Sequence, residues 1–232
     1  MQKSLNYNKQ AAKRLISDQE KKYFEMDAIS RNWHEASHCV IALFNFFKVL
    51  HISVIPNEEQ DGITNYLSSD GEYDNGGILK LFAKYETQVY YAGYIGERIF
   101  YQDLSGSHKL PLYFKIGSSF DFDQASKLIR KYELAETGNP TTKFKKQTQA
   151  YVRKILIEHW DAVKLVSHAL YQKKRLSYDD IKKLLRFKTS SEHKKFWKKR
   201  FKQIDYLYKQ ETVLPENLLL SIIQDDKLPK SK

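Results

Sequence analysis

Residues 34–38 read His34-Glu35-Ala36-Ser37-His38 and run directly into Cys39, Val40, Ile41, Leu43, Phe44 and Phe47. No other stretch constrains the fold as much. On an α-helix, residues four apart share a face, so the two imidazoles converge on one point, while the apolar spacing that follows requires the same helix to be buried. Two histidines and a glutamate on a buried helix need partners, because unpaired polar groups in an apolar setting are costly. A bound cation satisfies all three. Imidazoles at this spacing suit zinc, and Glu35, beside the first histidine, can reach a metal-bound water rather than the metal. A Lewis acid, a polarised water and a base for its proton are what peptide hydrolysis needs. The competing reading is a polar patch on a helix face with Glu35 solvated, and the apolar run argues against it.

The chain has 232 residues, 41% hydrophobic and 14% aromatic, which suits one good-sized core or one domain with an appendage and excludes wholesale disorder. Cys39 is the single cysteine, so an internal disulfide is excluded and a reducing compartment fits. It follows His38 by one residue, about 100° round the helix, and reads as a small buried residue rather than a ligand. Met1 to Glu25 is charged and lacks the apolar run of a signal peptide. The stretch Cys39 to Val54 is broken by Asn45, Lys48 and His51 and is too short to span a bilayer. The expectation is a soluble cytoplasmic protein with no transmembrane segment.

The pattern predicts an α+β fold, mostly helical, with a small sheet beside the motif helix and a helical C-terminal part. A helix over Lys9 to Ile29 leads into a motif helix over Ser30 to Lys48. Strands follow at Leu50 to Pro56 and Ile63 to Leu67, joined by a polar turn over Asn57 to Gly62. After a loop over Ser68 to Gly77, helical spacing covers Ile78 to Phe100, with Gly93 and Gly96 permitting close approach of a neighbour. Another helix opens at Gly117-Ser118-Ser119 and runs to Leu134, and Thr137 to Thr142 is a break. A long amphipathic helix spans Lys143 to Gln172. Ser177 to Asp180 has the form of a capping box before a short helix ending near Leu185.

A catalytic zinc site usually has three protein ligands and an open position. Candidates for the third are His51, Glu97, His108, Asp121, Asp123, His159 and His168. His159 lies on the apolar stripe Val152, Ile155, Val163, Val166 and reads as a core histidine. Asp121 has a structural reading too, as the capping-box partner of Ser118. Spacing alone leaves Asp121 and Glu97 even.

Four segments in order resemble the peptidase domain of the FtsH family of ATP-dependent zinc metalloproteases. His34–His38 is similar to the family's HEAGH, and His51 to Pro56 with Gly62-Ile63-Thr64 resembles its strand pair of the type VTIIPRG…GYT. Ala92-Gly93-Tyr94-Ile95-Gly96-Glu97-Arg98 resembles GGRxAEE, and Gly117 to Ala125 resembles GASNDxxxA. The resemblance runs from about Met26 to Leu185. It implies that Asp121 is the third zinc ligand beside His34 and His38, that Glu35 is the general base, and that Glu97 lies close by. It also implies a division into a helical lead-in (1–26), a peptidase domain (27–186) and a basic helical extension (187–232). Ser37 and Phe120 replace a glycine and an asparagine of the family pattern. The family's ATPase module and membrane segments are absent from the chain, so the implied substrates are unfolded polypeptides or peptides, with a separate ATPase or delivery partner as an option. The alternative is a non-catalytic adaptor with structural zinc or none. An edge strand at Ile63 to Leu67, bordering the site, is expected to take an extended peptide.

Net charge is +11, and Phe187 to Gln210 carries more than half of the excess. Trp197, Phe201, Ile204 and Tyr208 form one apolar helix face there, with Lys194, Lys195, Lys198, Lys199, Arg200 and Lys202 around the remainder. The favoured reading is a helix docked on the core with a solvated basic face. A contact for nucleic acid, anionic membrane or an acidic protein is the competing one.

Overall fold

The computed structural model describes residues 18–55, 62–67, 76–106, 118–135 and 141–209. The motif helix α1 (Asp18–Phe44) is the centre of the molecule: Ala36, Cys39, Val40, Ile41, Ala42 and Leu43 are fully buried. Instead of two helices meeting at Ser30, one helix runs through. The Ser30 hydroxyl is buried and donates to Glu97 Oε1 at 2.8 Å, so it does not cap a helix start. α1 ends at Phe44, short of Lys48, because Phe46 adopts a left-handed conformation with φ 67°. Phe47 N–H then donates back to the Ala42 carbonyl at 2.9 Å, the pattern of a Schellman stop made without glycine.

The sheet has three antiparallel strands in the order β2-β1-β3, with β1 (Lys48–Ser53), β2 (Ile63–Leu67) and β3 (Arg175–Ser177). The expected pair of strands is present, but β1 starts earlier and stops at Ser53. A register shift between Val49 and His51 leaves Leu50 as the extra residue, turned to solvent. Pro56 and most of the expected turn lie outside the described residues. β3 was not anticipated: only Leu176 of its three residues is buried, too short a signal for alternation to show.

Helix α2 (Gly76–Ser105) packs along α1. A Cβ added at Gly96 would lie 1.8 Å from Ser37 Oγ, so the close approach anticipated at this glycine is real. α3 (Ser119–Lys131) crosses α2, and α4 (Thr141–Glu158) with α5 (Trp160–Lys173) closes the core from the other side. These last two were expected as one helix. The chain breaks at His159, whose φ and ψ are −104° and 28°. Apolar spacing carries unchanged from Val152 to Val166 across the break, so periodicity gives no sign of it. α6 (Tyr178–Lys188) does begin with the Ser177–Asp180 capping box.

α7 (Ser191–Leu207) docks through Trp197, Phe201 and Ile204 in the main core, with Lys194, Lys195, Lys198 and Lys202 facing solvent; Arg200, expected on that basic face, is buried instead. Its buried Arg200 donates to the Phe44 carbonyl at the end of α1 and stacks 3.7 Å from the Phe46 ring centroid. That contact fills the space beside the left-handed turn. No helix among the described residues is long and apolar enough to cross a membrane.

Candidate metal centre

α1 supplies two imidazoles on one face and α3 brings Asp121 against them. His34 Nε2 lies 2.9 Å from His38 Nε2 and 3.1 Å from Asp121 Oδ2, and His38 Nε2 lies 3.3 Å from the same oxygen. The second nitrogen of each ring is also held. His38 Nδ1 lies 2.7 Å from the Val89 carbonyl, which can only accept, so the proton sits on Nδ1 and the Nε2 lone pair is left for the cluster. His34 Nδ1 makes an ion-pair contact with Glu97 Oε2 at 3.3 Å, and Ser30 holds the other Glu97 oxygen.

Two imidazole nitrogens and a carboxylate oxygen packed this tightly need a shared proton or a cation among them. His34, His38 and Asp121 could therefore hold a metal ion. The triangle edges of 2.9 to 3.3 Å are close to the roughly 3.3 Å between ligand atoms of a tetrahedral zinc. The acids around His34 favour positive charge at this point, whether a proton or a metal ion supplies it. Burial, the largest influence, pushes the His34 pKa down, yet the carboxylates of Glu97 and Asp121 together raise it well above its ordinary value. Burial works against ionisation of Asp121, but His38 and His34 outweigh it and hold the carboxyl well below the usual range.

Glycine is required here. A Cβ at Gly93 of α2 would fall 2.4 Å from His34 Nε2 and 2.5 Å from His38 Nε2, against both imidazoles of the triangle. Only a bare backbone leaves that space.

Glu35 turns the other way, towards the sheet. Its Oε2 accepts from the Thr64 hydroxyl of β2 at 2.7 Å, and it is almost fully buried. Burial pushes its pKa up, partly offset by the nearby histidines. Among the described residues β2 lies at one edge of the sheet, and through Thr64 this strand, Ile63 to Leu67, borders Glu35.

The two carboxylates left even by spacing have separate places: Asp121 completes the triangle and Glu97 supports His34 from behind. Ser118 and Asp121 do not form the capping box considered for them. The Ser118 hydroxyl is buried without a hydrogen bond among the described residues, because Asp121 is turned to the histidines. Asp123 and His168 face solvent, His51 lies on β1, and His159 is in the aromatic core, all outside the cluster. His108 lies outside the described residues. Cys39 is buried in the core, where burial pushes its thiol pKa up. Thr64, Ser30 and the Val89 carbonyl were not anticipated as parts of the site. For Thr64 a signal existed, since strand alternation sets it on the face opposite Ile63; a backbone carbonyl gives none.

The chain matches no protein-family model, and it matches none of the curated proteins compared with it.

Proposed function

We propose that the protein is an FtsH-like zinc metallopeptidase that hydrolyses peptide bonds in unfolded polypeptides or peptides. One observation carries the reading: two histidines and an aspartate converge in a triangle, while the buried acid Glu35, next in sequence to His34, is bonded to an outer strand. His34, His38 and Asp121 hold the ion, and a bound zinc supplies Lewis-acid polarisation of the scissile carbonyl and of water. Val89 and Glu97 orient the two imidazoles. Glu35 takes the proton of the attacking water and passes it to the leaving amine, and its burial favours a carboxylate basic enough for that work. Thr64 holds the acid in place, and the side of β2 left unpaired among the described residues receives the extended substrate through backbone hydrogen bonds.

The test is hydrolysis of an unstructured substrate such as casein by the full chain. Activity is expected to vanish with a zinc chelator and to return on adding zinc. Activity indifferent to the chelator contradicts a metal-dependent mechanism.

The adaptor reading has one observation in its favour. Lys194, Lys195, Lys198 and Lys202 of α7 are exposed and make no ion pair among the described residues. The α7 aromatics are largely packed into the core and unavailable for base stacking, which argues against single-stranded nucleic acid as the partner.

A further inference from the structure

A second polar site lies between α2 and α4, on a flank away from the metal centre. Ile95 and Arg98 of α2 and Lys146, Gln149, Ala150 and Arg153 of α4 line a groove of about 210 Å³. Three of these side chains are cations and none is an acid. Residues 146, 149, 150 and 153 fall at i, i+3, i+4 and i+7, so they form one face of α4. The next face of the same helix buries Val152 and Ile155 in the core, which fixes the groove wall.

Arg98 and Arg153 are half-buried residues, and neither has a carboxylate partner among the described residues. Arg153 Nη2 donates to Gln102 Oε1 on α2 at 3.0 Å, which spans the two helices and sets the orientation of its fork. Arg98 rests over the Tyr94 ring, 5.8 Å from its centroid. Cations gathered along one groove without an acid attract an anion, and the planar donor pairs of guanidinium groups fit the oxygens of a carboxylate or phosphoryl group. Three cations and the Gln149 amide suit a dianion better than a single carboxylate, which would leave most of the charge unmatched.

We infer that the groove between α2 and α4, through Arg98, Lys146 and Arg153, binds a small oxyanion: phosphate or a terminal phosphoryl group. Glu97 faces α1 and the next residue, Arg98, opens onto α4, so this site is separate from the ligand triangle and does not depend on the peptidase reading.

The experiment is a titration of the full chain with inorganic phosphate and, separately, with glycerol phosphate, read by calorimetry and by melting temperature. Potassium chloride and acetate at equal ionic strength are the controls. Saturable binding is expected for at least one phosphate compound, with Arg98→Gln and Arg153→Gln each weakening it about tenfold or more, as loss of a charge-assisted bond does. Lys146 is exposed, so Lys146→Gln keeps the fold and should weaken binding by a smaller factor. Binding of glycerol phosphate alone assigns the site to a phosphoryl ester, and binding of both assigns it to the free ion as well. The inference is overturned if neither binds beyond the chloride and acetate controls. It is equally overturned if wild type and all three variants bind alike, since the anion would then sit at the metal or spread over the surface.

Discussion

Thr64 Oγ lies 2.7 Å from Glu35 Oε2 and 3.1 Å from the Glu35 carbonyl, so one hydroxyl ties the acid of the motif to the outer strand of the sheet. The same contact explains Gly62, two residues earlier, where an added Cβ would lie 2.6 Å from Glu35 Oε1. Strand and acid are fitted to each other. Thr64→Val keeps the shape of the side chain and removes the hydroxyl. It should leave zinc content unchanged and lower kcat by about tenfold, the scale of one lost hydrogen bond to a charged group. Steady-state kinetics with metal analysis checks this; a fall in zinc content would place Thr64 in metal binding instead.

Gly93 gives a test of the triangle itself. Gly93→Ala adds a methyl 2.4 Å from His34 Nε2, so zinc content should fall to a small fraction of the wild-type value while the helical circular dichroism is retained. Gly76→Ala is the control, because a Cβ there meets nothing within 4 Å. Equal zinc in both variants contradicts the geometry described.

Asp121 and Asp123 are two residues apart on α3, about 200° round the helix, and only the first faces the histidines. Asp121→Asn should weaken zinc binding strongly, and Asp123→Asn should leave it nearly unchanged. Zinc titration against a competing chelator separates them. Loss of metal only on replacing Asp123 would mean the wrong carboxylate has been assigned.

Much of the centre could be read in the sequence because helical spacing is rigid. His34 and His38 share a face, the apolar run after them buries that helix, and Gly93 and Gly96 signal a close neighbour. The choice between Asp121 and Glu97 could not be read from spacing, since it depends on how α2 and α3 approach α1 in space. Two chain breaks were hidden for the same kind of reason. The end of α1 relies on a left-handed Phe46 supported by Arg200, a residue more than 150 positions away, and the break at His159 leaves the apolar register intact.

His159 also predicts a pH dependence. Both its ring nitrogens are buried without a hydrogen bond among the described residues, and its ring packs on Phe44, Phe196 and Trp197. Burial, reinforced by His193 and Arg200 and opposed by Asp161, lowers its pKa from 6.5 to about 4. The unfolded chain therefore takes up this proton first as pH falls. The contribution to stability is complete above pH 6.5, declines as pH drops towards 4, and is then constant. Between pH 7 and pH 5 wild type should lose roughly 2 kcal/mol more than His159→Phe, by linkage. Urea unfolding at the two pH values measures it, and equal losses would show that His159 accepts its proton in the folded state.

The central claim is that Glu35 moves a proton in peptide hydrolysis, and Glu35→Gln tests it most directly. Glutamine keeps the size and can still accept from Thr64, but it cannot serve as the base. His34, His38 and Asp121 are untouched, so the variant should fold and bind zinc as wild type does. At matched zinc content, cleavage of casein should fall by at least about a hundredfold, the scale of general-base catalysis. Equal cleavage by both proteins would contradict the account. So would the absence of any cleavage by zinc-loaded wild type, alone or with cell extract and ATP, which would leave the adaptor reading in its place.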